Sequence, residues 1–376
     1  MEKIILSPLQ RILQEFPKNI KFCFAYGSGV FKQKTDPTKN MLDLIFVVSN
    51  PKRWHSQNLM KNPSHYAQPL RFLGPKVIAN VQEKWGARIY YNTLIKSSDE
   101  RLMKYGVISE VALIEDLLDW NMLYLSGRLH KPVQVLIGPE NNSSLQTALA
   151  QNLKSAVHAA LLLLPEDFNQ IDFYKTIASL SYHGDFRMTF GEDKSKINNI
   201  VIPQIENFKL LYAPVLKFFD HCMEMSSSEG GPIMCRQDGS PTAKIHHLNQ
   251  LPRVPQVKLV RKWSQGSRTY DVEDCLRAIA YDPECNELVQ EVFKEIVRRS
   301  SITQSLKGIL TAGIAKSVKY SSAKIVKMIQ SNRNIYLSKQ LIASALPVAP
   351  KINKIMEKVT KKIPPKAIEK DNQKKS

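Results

Sequence analysis

The stretch of this sequence best suited to chemistry is a glycine-rich turn followed by one acidic residue in an apolar run. The turn is Gly27-Ser28-Gly29, and the acidic residue is Asp43, the one charged residue within Leu42–Val48. Glycines let backbone amides approach a phosphate closely. A carboxylate in an apolar strand is costly unless a cation pairs with it. The pattern therefore predicts a triphosphate bound by the turn and a divalent metal bound by Asp43.

The elements that must position this site are short strands and helices. Apolar β-forming runs flank the turn, and 42–48 predicts a strand covered on both faces. A further strand over 104–109 precedes a helix that runs to Gly127, with Ser109 as its N-cap. The sequence thus predicts a small sheet whose strands alternate with helices.

Beyond that helix the sequence is mostly helical in pattern. The exception is 224–256, which is rich in Ser, Gly and Pro and predicts a flexible insertion. The expected fold is α+β, with a small mixed sheet and helices, then a mostly helical domain and a C-terminal basic amphipathic helix. The predicted divisions are a core domain 1–109, a helical domain 110–223, the insertion 224–256, a helical return to the core 257–299, the amphipathic helix 300–330 and a Lys-rich, partly disordered tail 331–376.

The basic charge of the chain is concentrated toward its C-terminal end. The net charge is +19 over 376 residues. From Arg298 onward there are 18 Lys and Arg against 3 Asp and Glu, so this part carries +15 and the remainder +4. Such a basic region favours an anionic partner: a membrane, a nucleic acid or a phosphorylated substrate.

The segment 300–330 has the pattern of a helix that lies on a membrane surface. Its apolar residues fall largely on one helical face, while Lys316, Lys319 and Lys327 fall on the other. Lys307 does not, and is expected to extend outward to water. Binding to an anionic membrane is favoured over packing on the body of the protein. No apolar run reaches the roughly 18 residues that span a bilayer.

The cysteines and the first histidines do not predict a metal centre. The five cysteines are scattered and contain no C-x-x-C pair, which indicates neither a disulfide framework nor a zinc site. The spacing of His55 and His65 matches no zinc signature. Packing or hydrogen bonding to a substrate is therefore favoured for these two histidines over metal binding.

The turn, the loop after it and the strand carboxylate resemble the nucleotidyltransferase superfamily of DNA polymerase beta. In that superfamily the Gly-Ser pair contacts the triphosphate, and carboxylates on the following strand hold Mg²⁺. A second carboxylate would lie two residues away on the same strand face, but Met41 and Ile45 occupy those positions. The candidates elsewhere are Asp116, Asp119 and Asp185.

A longer series of motifs is more specific. In chain order these are Tyr26-Gly-Ser-Gly-Val-Phe31, Met41-Leu-Asp-Leu-Ile-Phe46, Trp54-His55 with Asn58, His65-Tyr66, Lys104-Tyr-Gly-Val-Ile-Ser109, Gly127-Arg-Leu with Lys131-Pro-Val133, Ser181-Tyr-His-Gly-Asp-Phe-Arg187, Thr311-Ala-Gly313 and Lys316-Ser-Val-Lys-Tyr320. Over roughly residues 20–328 the chain resembles the mitochondrial translocator assembly and maintenance protein family. That family comprises the mitochondrial phosphatidate cytidylyltransferases, or CDP-diacylglycerol synthases.

The resemblance implies an enzyme that joins CTP and phosphatidic acid into CDP-diacylglycerol with release of pyrophosphate, on the route to phosphatidylglycerol and cardiolipin. It implies Mg²⁺ as cofactor and a polymerase-beta-like nucleotidyltransferase core. It also implies a peripheral protein on the matrix side of the mitochondrial inner membrane, with no nucleic-acid partner. Two alternatives stay open: a nucleotidyltransferase that acts on RNA, and a non-catalytic inner-membrane assembly factor with a vestigial site.

On this hypothesis, a phosphate oxygen of phosphatidic acid attacks the α-phosphorus of CTP. Asp43 holds Mg²⁺ with Asp116 or Asp185 as its partner, and residues 27–29, including Ser28, bind the β- and γ-phosphates. The remaining candidates for contact with the substrates are Tyr26, His55, Asn58, Lys104, Arg128, Lys131, Lys154 and Arg187. For Asp185 and Arg187, a structural ion pair is as well supported as a role in catalysis.

Overall fold

A computed structural model describes residues 8–31, 40–190, 195–226, 233–264 and 271–312 of the chain. The strands are β1 (Phe22–Tyr26), β2 (Leu42–Val48), β3 (Ile89–Lys96), β4 (Leu102–Ser109), β5 (Gln134–Ile137), β6 (Asp167–Asn169), β7 (Met223–Ser226) and β8 (Met234–Gln237). The helices are α1 (Pro8–Leu13), α2 (Pro51–Lys61), α3 (Gln68–Lys84), α4 (Glu110–Asp119), α5 (Leu125–Leu129), α6 (Ser143–Leu163), α7 (Gln170–Ser179), α8 (Arg187–Phe190), α9 (Lys196–Val201), α10 (Ile205–Leu216), α11 (Pro241–Asn249), α12 (Arg253–Trp263), α13 (Val272–Tyr281) and α14 (Cys285–Ala312).

The first five strands form one mixed sheet in the order β3-β4-β2-β1-β5. Strand β2 lies near its centre, antiparallel to β1 and parallel to β4. All of β2 except Asp43 is buried, as expected of a strand that is covered on both faces. The predicted α+β class and small mixed sheet are confirmed, whereas the likeness to DNA polymerase beta stays a prediction.

The two faces of this sheet carry different cores. On one face, Ile45 of β2 packs in a cluster that includes Leu113 of α4 and Leu145 of α6. On the other face, Phe46 packs with Trp54 of α2 in a second cluster. Because side chains alternate along a strand, neighbouring residues of β2 point to opposite cores. This alternation decides which of the predicted site residues can meet.

The helical part of the chain has a core of its own. It includes Phe173, Tyr212 and Phe293, all buried, from α7, α10 and α14. Beside it, β6, β8 and β7 form a small antiparallel sheet in that order. As predicted, Asp282 and its following proline separate two helices, α13 and α14.

The prediction of a flexible insertion over 224–256 is wrong for the residues that the structure describes there. Strand β8 pairs with β6, and α11 and the first turn of α12 fall in the same stretch. Pro241 lies in the first turn of α11, where Ser240 accepts a hydrogen bond from the Ala243 amide (3.3 Å). A proline in the first turn and a serine cap favour a helix start, so the composition that predicted a loop marks helix boundaries instead.

The helix predicted from 110 to Gly127 ends earlier than expected. Ser109 caps α4 as predicted, by accepting from the Ala112 amide (3.3 Å). Trp120 then adopts the left-handed conformation (φ 54°), and a short helix, α5, follows. In the described part of the chain, no helix combines the length and the apolar character needed to cross a membrane.

Candidate active site

The Gly-Ser-Gly segment forms a single 3₁₀ turn at the end of β1. Gly27 has φ +77°, a conformation that favours glycine. A Cβ added to Gly29 would lie 2.4 Å from the Met41 carbonyl oxygen, so the turn is packed against the chain that enters β2. The amides of Val30 and Phe31 both donate to the Gly27 carbonyl (3.1 and 3.0 Å). The turn is therefore held in one place at the edge of the site.

Asp43 lies beside this turn. It faces Tyr26 in the antiparallel register of β1 and Lys104 in the parallel register of β4. A Cβ placed on Gly27 would be 3.6 Å from Asp43 Oδ2, so its carboxylate reaches the turn. The fold thus brings together four of the residues that the sequence singled out, although they come from three strands and a turn.

Basic side chains approach the same face of the sheet from the helices. The Arg128 guanidinium lies over the Tyr26 ring (4.5 Å to the centroid), and its Nη2 donates to the Tyr182 hydroxyl (3.3 Å). The Lys131 Nζ lies 5.1 Å from the centre of the Tyr182 ring, and the Lys196 Nζ lies 5.0 Å from it. Three cations therefore surround one phenol ring, and we call Arg128, Lys131 and Lys196 the basic cluster.

Lys131 shows the electrostatic character of the basic cluster most clearly. It is 2% exposed, and its Nζ donates to the Ser181 hydroxyl (2.8 Å) and to the Gly127 carbonyl. Burial, and then the charges of Arg128 and Lys196, lower the pKa of Lys131 well below its usual value. A bound anion would stabilise cations that lie this close together, so the basic cluster is suited to binding an anion.

Tyr26 and Lys104 form the part of the site that lies on the strands of the sheet. Burial, and then the negative charge of Asp43, raise the pKa of Tyr26, so its hydroxyl stays protonated. The Lys104 ammonium lies over the Tyr91 ring (4.2 Å). The Tyr91 and Tyr26 rings thus lie against Lys104 and Arg128 near the strand that carries Asp43.

Two members of this site were not predicted as functional: Lys196, and Tyr182 beyond its place in a quoted motif. Lys196 begins α9, which is 65 residues beyond Lys131 in the chain. Its nearest neighbours in sequence show no pattern that would link it to α5. A lysine at such a separation becomes part of the site through packing alone, so the sequence carries no local signal for it.

The structure assigns Asp116 a different role from the predicted one of metal ligand. Its carboxylate is 6% exposed and accepts from the amides of Met122 (2.9 Å), Tyr124 (3.3 Å), Leu125 (3.0 Å) and Ser126 (3.0 Å). The Ser126 hydroxyl donates to it as well (3.1 Å). Asp116 therefore stabilises the turn between α4 and α5. The lone pairs of its oxygens accept hydrogen bonds from this turn, so they are not available to a metal ion.

Asp185 is likewise corrected as a metal ligand. Both of its oxygens accept from Arg187: Oδ2 from Nη2 at 2.6 Å and Oδ1 from Nε at 2.9 Å. The Arg187 amide also donates to Oδ1 (3.0 Å), and Asp185 is 5% exposed. The structural ion pair is the arrangement that forms, and a metal at Asp185 would have to displace the arginine.

His55 and Asn58 lie in a polar network on the opposite face of the sheet. His55 contacts the Tyr66 hydroxyl and the Gln82 side chain (both 2.8 Å), and Asn58 donates to the Tyr105 hydroxyl (2.9 Å). Tyr105 belongs to the core on the Phe46 side, away from Asp43 and Lys104. Their predicted role in binding CTP is therefore corrected to a structural one, which agrees with the packing that the sequence favoured over metal binding.

Lys154 is also placed outside the basic cluster. Its Nζ lies over the Phe218 ring (3.9 Å), between α6 and the end of α10. Residue 154 is two positions beyond Asn152, whose side chain is directed to Trp120 and Ser126. Residues two positions apart on a helix point to different sides, so Lys154 packs near Phe218 rather than beside Lys131.

The described part of the segment 300–330 turns a polar side toward the protein. Gln304 Oε1 accepts from the Ala87 amide (2.9 Å), and the Lys307 Nζ donates to the carbonyls of Gln82 (2.9 Å) and Trp85 (2.8 Å). Burial lowers the pKa of Lys307 to about 7. The prediction that Lys307 extends to water is wrong, because its Nζ donates to carbonyls at the C-terminal end of α3.

The apolar side of the same helix is turned away from the protein. Ile302, Leu306 and Ile309 are 36%, 63% and 49% exposed. The three lysines predicted to face the membrane lie outside the described residues: Lys316, Lys319 and Lys327. The end of α14 thus inverts the usual arrangement, in which the apolar side of a helix is buried.

A mixed sheet that places a glycine turn, a strand carboxylate and buried cations around one site defines a protein that handles phosphorylated ligands. Comparisons with known proteins narrow this class. The family described as phosphatidate cytidylyltransferase, mitochondrial, matches residues 9–327. The chain therefore belongs to the mitochondrial phosphatidate cytidylyltransferase family.

Individual relatives agree with the family match. A phosphatidate cytidylyltransferase, mitochondrial, of Danio rerio is 47% identical over 324 residues, which is 85% of this chain and 94% of that protein. The protein of the same name from Drosophila melanogaster is 42% identical over 342 residues, 86% of this chain and 99% of its own length. That from Caenorhabditis elegans is 38% identical over 316 residues, 84% and 96% of the two chains.

Proposed function

We infer that this protein is a phosphatidate cytidylyltransferase, which makes CDP-diacylglycerol from CTP and phosphatidic acid. The observation that carries this function to particular residues is the basic cluster of Arg128, Lys131 and Lys196 around Tyr182, on the sheet face that bears Asp43. Both substrates are phosphate anions. Bound beside the cluster, they would offset both the burial and the charge repulsion that lower the pKa of Lys131.

The glycine turn is the proposed cradle for the CTP triphosphate. The turn is fixed by the packing of Gly29 against the chain that enters β2, and the absence of a side chain at Gly27 leaves its backbone open to close approach. Ser28 would add a hydroxyl donor, and Tyr26, protonated because its pKa is raised, would add another. This assignment places the β- and γ-phosphates between the turn and the basic cluster.

Mg²⁺ is the proposed cofactor, with Asp43 as its protein ligand. The donor set fits this ion, since Mg²⁺ is commonly bound by one or two carboxylates together with substrate phosphates and water. Asp43 reaches the turn that would hold those phosphates. When bound, the ion would reduce the charge that develops on the α-phosphate and on the leaving pyrophosphate.

The reaction needs positioning more than it needs a base. A phosphate oxygen of phosphatidic acid would form a bond to the α-phosphorus of CTP, while the bond from that phosphorus to the bridging oxygen breaks and pyrophosphate leaves. The attacking oxygen is already ionised at neutral pH, so no proton has to be removed. Arg128, Lys131 and Lys196 would hold two anions close together, which is the main obstacle to their reaction.

The lipid substrate implies a membrane surface. We propose that the exposed residues Ile302, Leu306 and Ile309 face the lipid, with Lys316, Lys319 and Lys327 close to its headgroups. The proposed location is peripheral, on the matrix side of the mitochondrial inner membrane. There the product would supply phosphatidylglycerol and cardiolipin synthesis.

The function is tested by incubating the full chain with labelled CTP, Mg²⁺ and vesicles that contain phosphatidic acid, and by following labelled CDP-diacylglycerol. Asp43→Asn should lower kcat by roughly 10³-fold, since the ion contributes several kcal/mol to the transition state. The exposed Asp99→Asn, the same change away from the site, is the matched control. Full activity in Asp43→Asn would refute the assignment of Asp43, and absence of product in the parent chain would refute the function.

A further inference from the structure

Four histidines and one cysteine from three parts of the chain meet in the helical region, apart from the basic cluster. His158 comes from α6, His246 and His247 from α11, and His221 and Cys222 from the turn before β7. The chain has 8 histidines in all, so half of them lie in this one place. We call these five residues the histidine cluster.

The ligand atoms of the histidine cluster fall into two groups of three, each compact enough to bind an ion. Those of His158, His246 and His247 lie within 4.8 Å of one another, and so do those of His221, Cys222 and His246. His246 belongs to both groups. Its ring centre is 5.4 Å from those of His158 and His247, and 6.1 Å from that of His221. The exposed His246 therefore connects a buried pair to a more accessible pair.

The buried pair is nearly at metal-binding separation. His158 Nδ1 and His247 Nδ1 are 2.9 Å apart, whereas two imidazole nitrogens on a tetrahedral zinc ion are about 3.3 Å apart at the usual zinc–nitrogen distance. A movement of a few tenths of an ångström would admit the ion. Both rings are buried, so an ion bound between them would be shielded from water.

A hydrogen bond between two packed histidines would explain His158 and His247, but not the other members. Such a pair requires two rings, whereas this site adds His246 beside the pair, and His221 and a thiol beside His246. Convergence of donors from α6, α11 and the turn before β7 is the arrangement that a structural metal uses to join distant segments.

The donor set selects the class of metal. Imidazoles and a thiolate suit Zn²⁺ and similar transition metals, whereas Mg²⁺ requires oxygen ligands. We propose that His158, His246 and His247, completed by Cys222 or His221, bind one zinc-class ion that joins α6, α11 and the turn before β7. This site is chemically distinct from the Asp43 site and does not depend on the proposed function.

The test uses the full chain, freed of metal with a chelator and then titrated with Zn²⁺. The parent protein should bind one zinc per chain, and zinc at 100 times its Kd should raise the melting temperature by roughly 5 °C. His246→Gln should bind zinc at least ten times more weakly and lose that shift. The mutated side chain is exposed, so the variant should fold. His183→Gln, an exposed histidine outside the cluster, is the matched control and should bind as the parent does.

Co²⁺ identifies the ligands independently of stability. The parent should show the intense visible absorption of tetrahedral Co²⁺, and Cys222→Ser should lose any near-ultraviolet thiolate band if the thiol is the fourth ligand. Retention of the spectrum in Cys222→Ser assigns His221 instead. Zinc binding below one tenth of an ion per chain, or equal binding by the parent and His246→Gln, would overturn the proposal.

Discussion

Asp116 and Asp43 should respond in opposite ways to the same chemical change, aspartate to asparagine. Asp116 accepts five hydrogen bonds from the turn between α4 and α5, whereas the Asp43 carboxylate lies beside Gly27 in the site. Asp116→Asn should therefore destabilise the fold and leave the activity of each folded molecule within about threefold. Asp43→Asn should leave the fold intact and remove activity.

The magnitude for Asp116→Asn follows from its partners. Four donors converge on Oδ2, the amides of Tyr124, Leu125 and Ser126 and the Ser126 hydroxyl, and one on Oδ1, the Met122 amide. If the asparagine oxygen replaces Oδ2, its NH₂ group faces the Met122 amide, and a buried donor left without an acceptor costs about 1–3 kcal/mol. The four other bonds lose their ionic character at roughly 1 kcal/mol each. Since such terms are not additive, we expect a loss of at least about 3 kcal/mol.

The assay pairs urea unfolding, followed by circular dichroism, with the CTP-dependent lipid assay normalised to folded protein. A loss of about 3 kcal/mol lies within the 5–15 kcal/mol of a typical domain, so the variant can be measured at low temperature. The reasoning is refuted if Asp116→Asn unfolds within about 0.5 kcal/mol of the parent and has lost its activity. That result would return Asp116 to the role of second metal ligand.

Three further predictions concern the turn, the histidines and the basic cluster. Gly29→Ala should lower the free energy of unfolding in urea by about 3 kcal/mol, because its Cβ would lie 2.4 Å from the Met41 carbonyl oxygen. The control Gly308→Ala, whose Cβ would meet nothing within 4 Å, should be neutral or stabilising. Equal effects of the two substitutions would contradict the packing of the turn. Burial lowers the pKa of His55 to about 4, so as the pH falls this residue is protonated in the unfolded chain before it is protonated in the folded one. His55 alone should therefore reduce the free energy of unfolding by about 2 kcal/mol between pH 7.5 and 5. His55→Asn should show a pH dependence that is flatter by that amount, and an unchanged slope would disprove burial of the neutral ring. Lys131→Met should lower kcat/KM by about 10²–10³-fold, and Lys154→Met, the same change on the Phe218 side, by less than threefold; similar losses in both would argue against the basic cluster as the phosphate site.

The sequence alone determined the part of the site that is built locally. Strands β1 and β2, the turn between them and the carboxylate of Asp43 follow from an apolar run interrupted by glycines and one charge. Each of these features depends on residues a few positions apart: side-chain alternation, the φ that glycine allows, and the cap that Ser109 supplies. The resemblance to the family rested on motifs of the same local kind, and the comparisons confirmed it.

Only the tertiary structure decided which side chains share a site. Asp116 accepts hydrogen bonds from the turn after α4, Asp185 forms an ion pair with Arg187, and His55 belongs to a hydrogen-bond network on the opposite face of the sheet. The sequence surroundings of these residues nevertheless resemble those of functional residues. Lys196 joins Lys131 at Tyr182 from a distant helix. The physical reason is that hydrogen-bonding capacity and charge are used by whichever groups packing brings within reach. Those groups are close in sequence for Asp116 and Asp185, but they lie tens of residues away for His55 and Lys131.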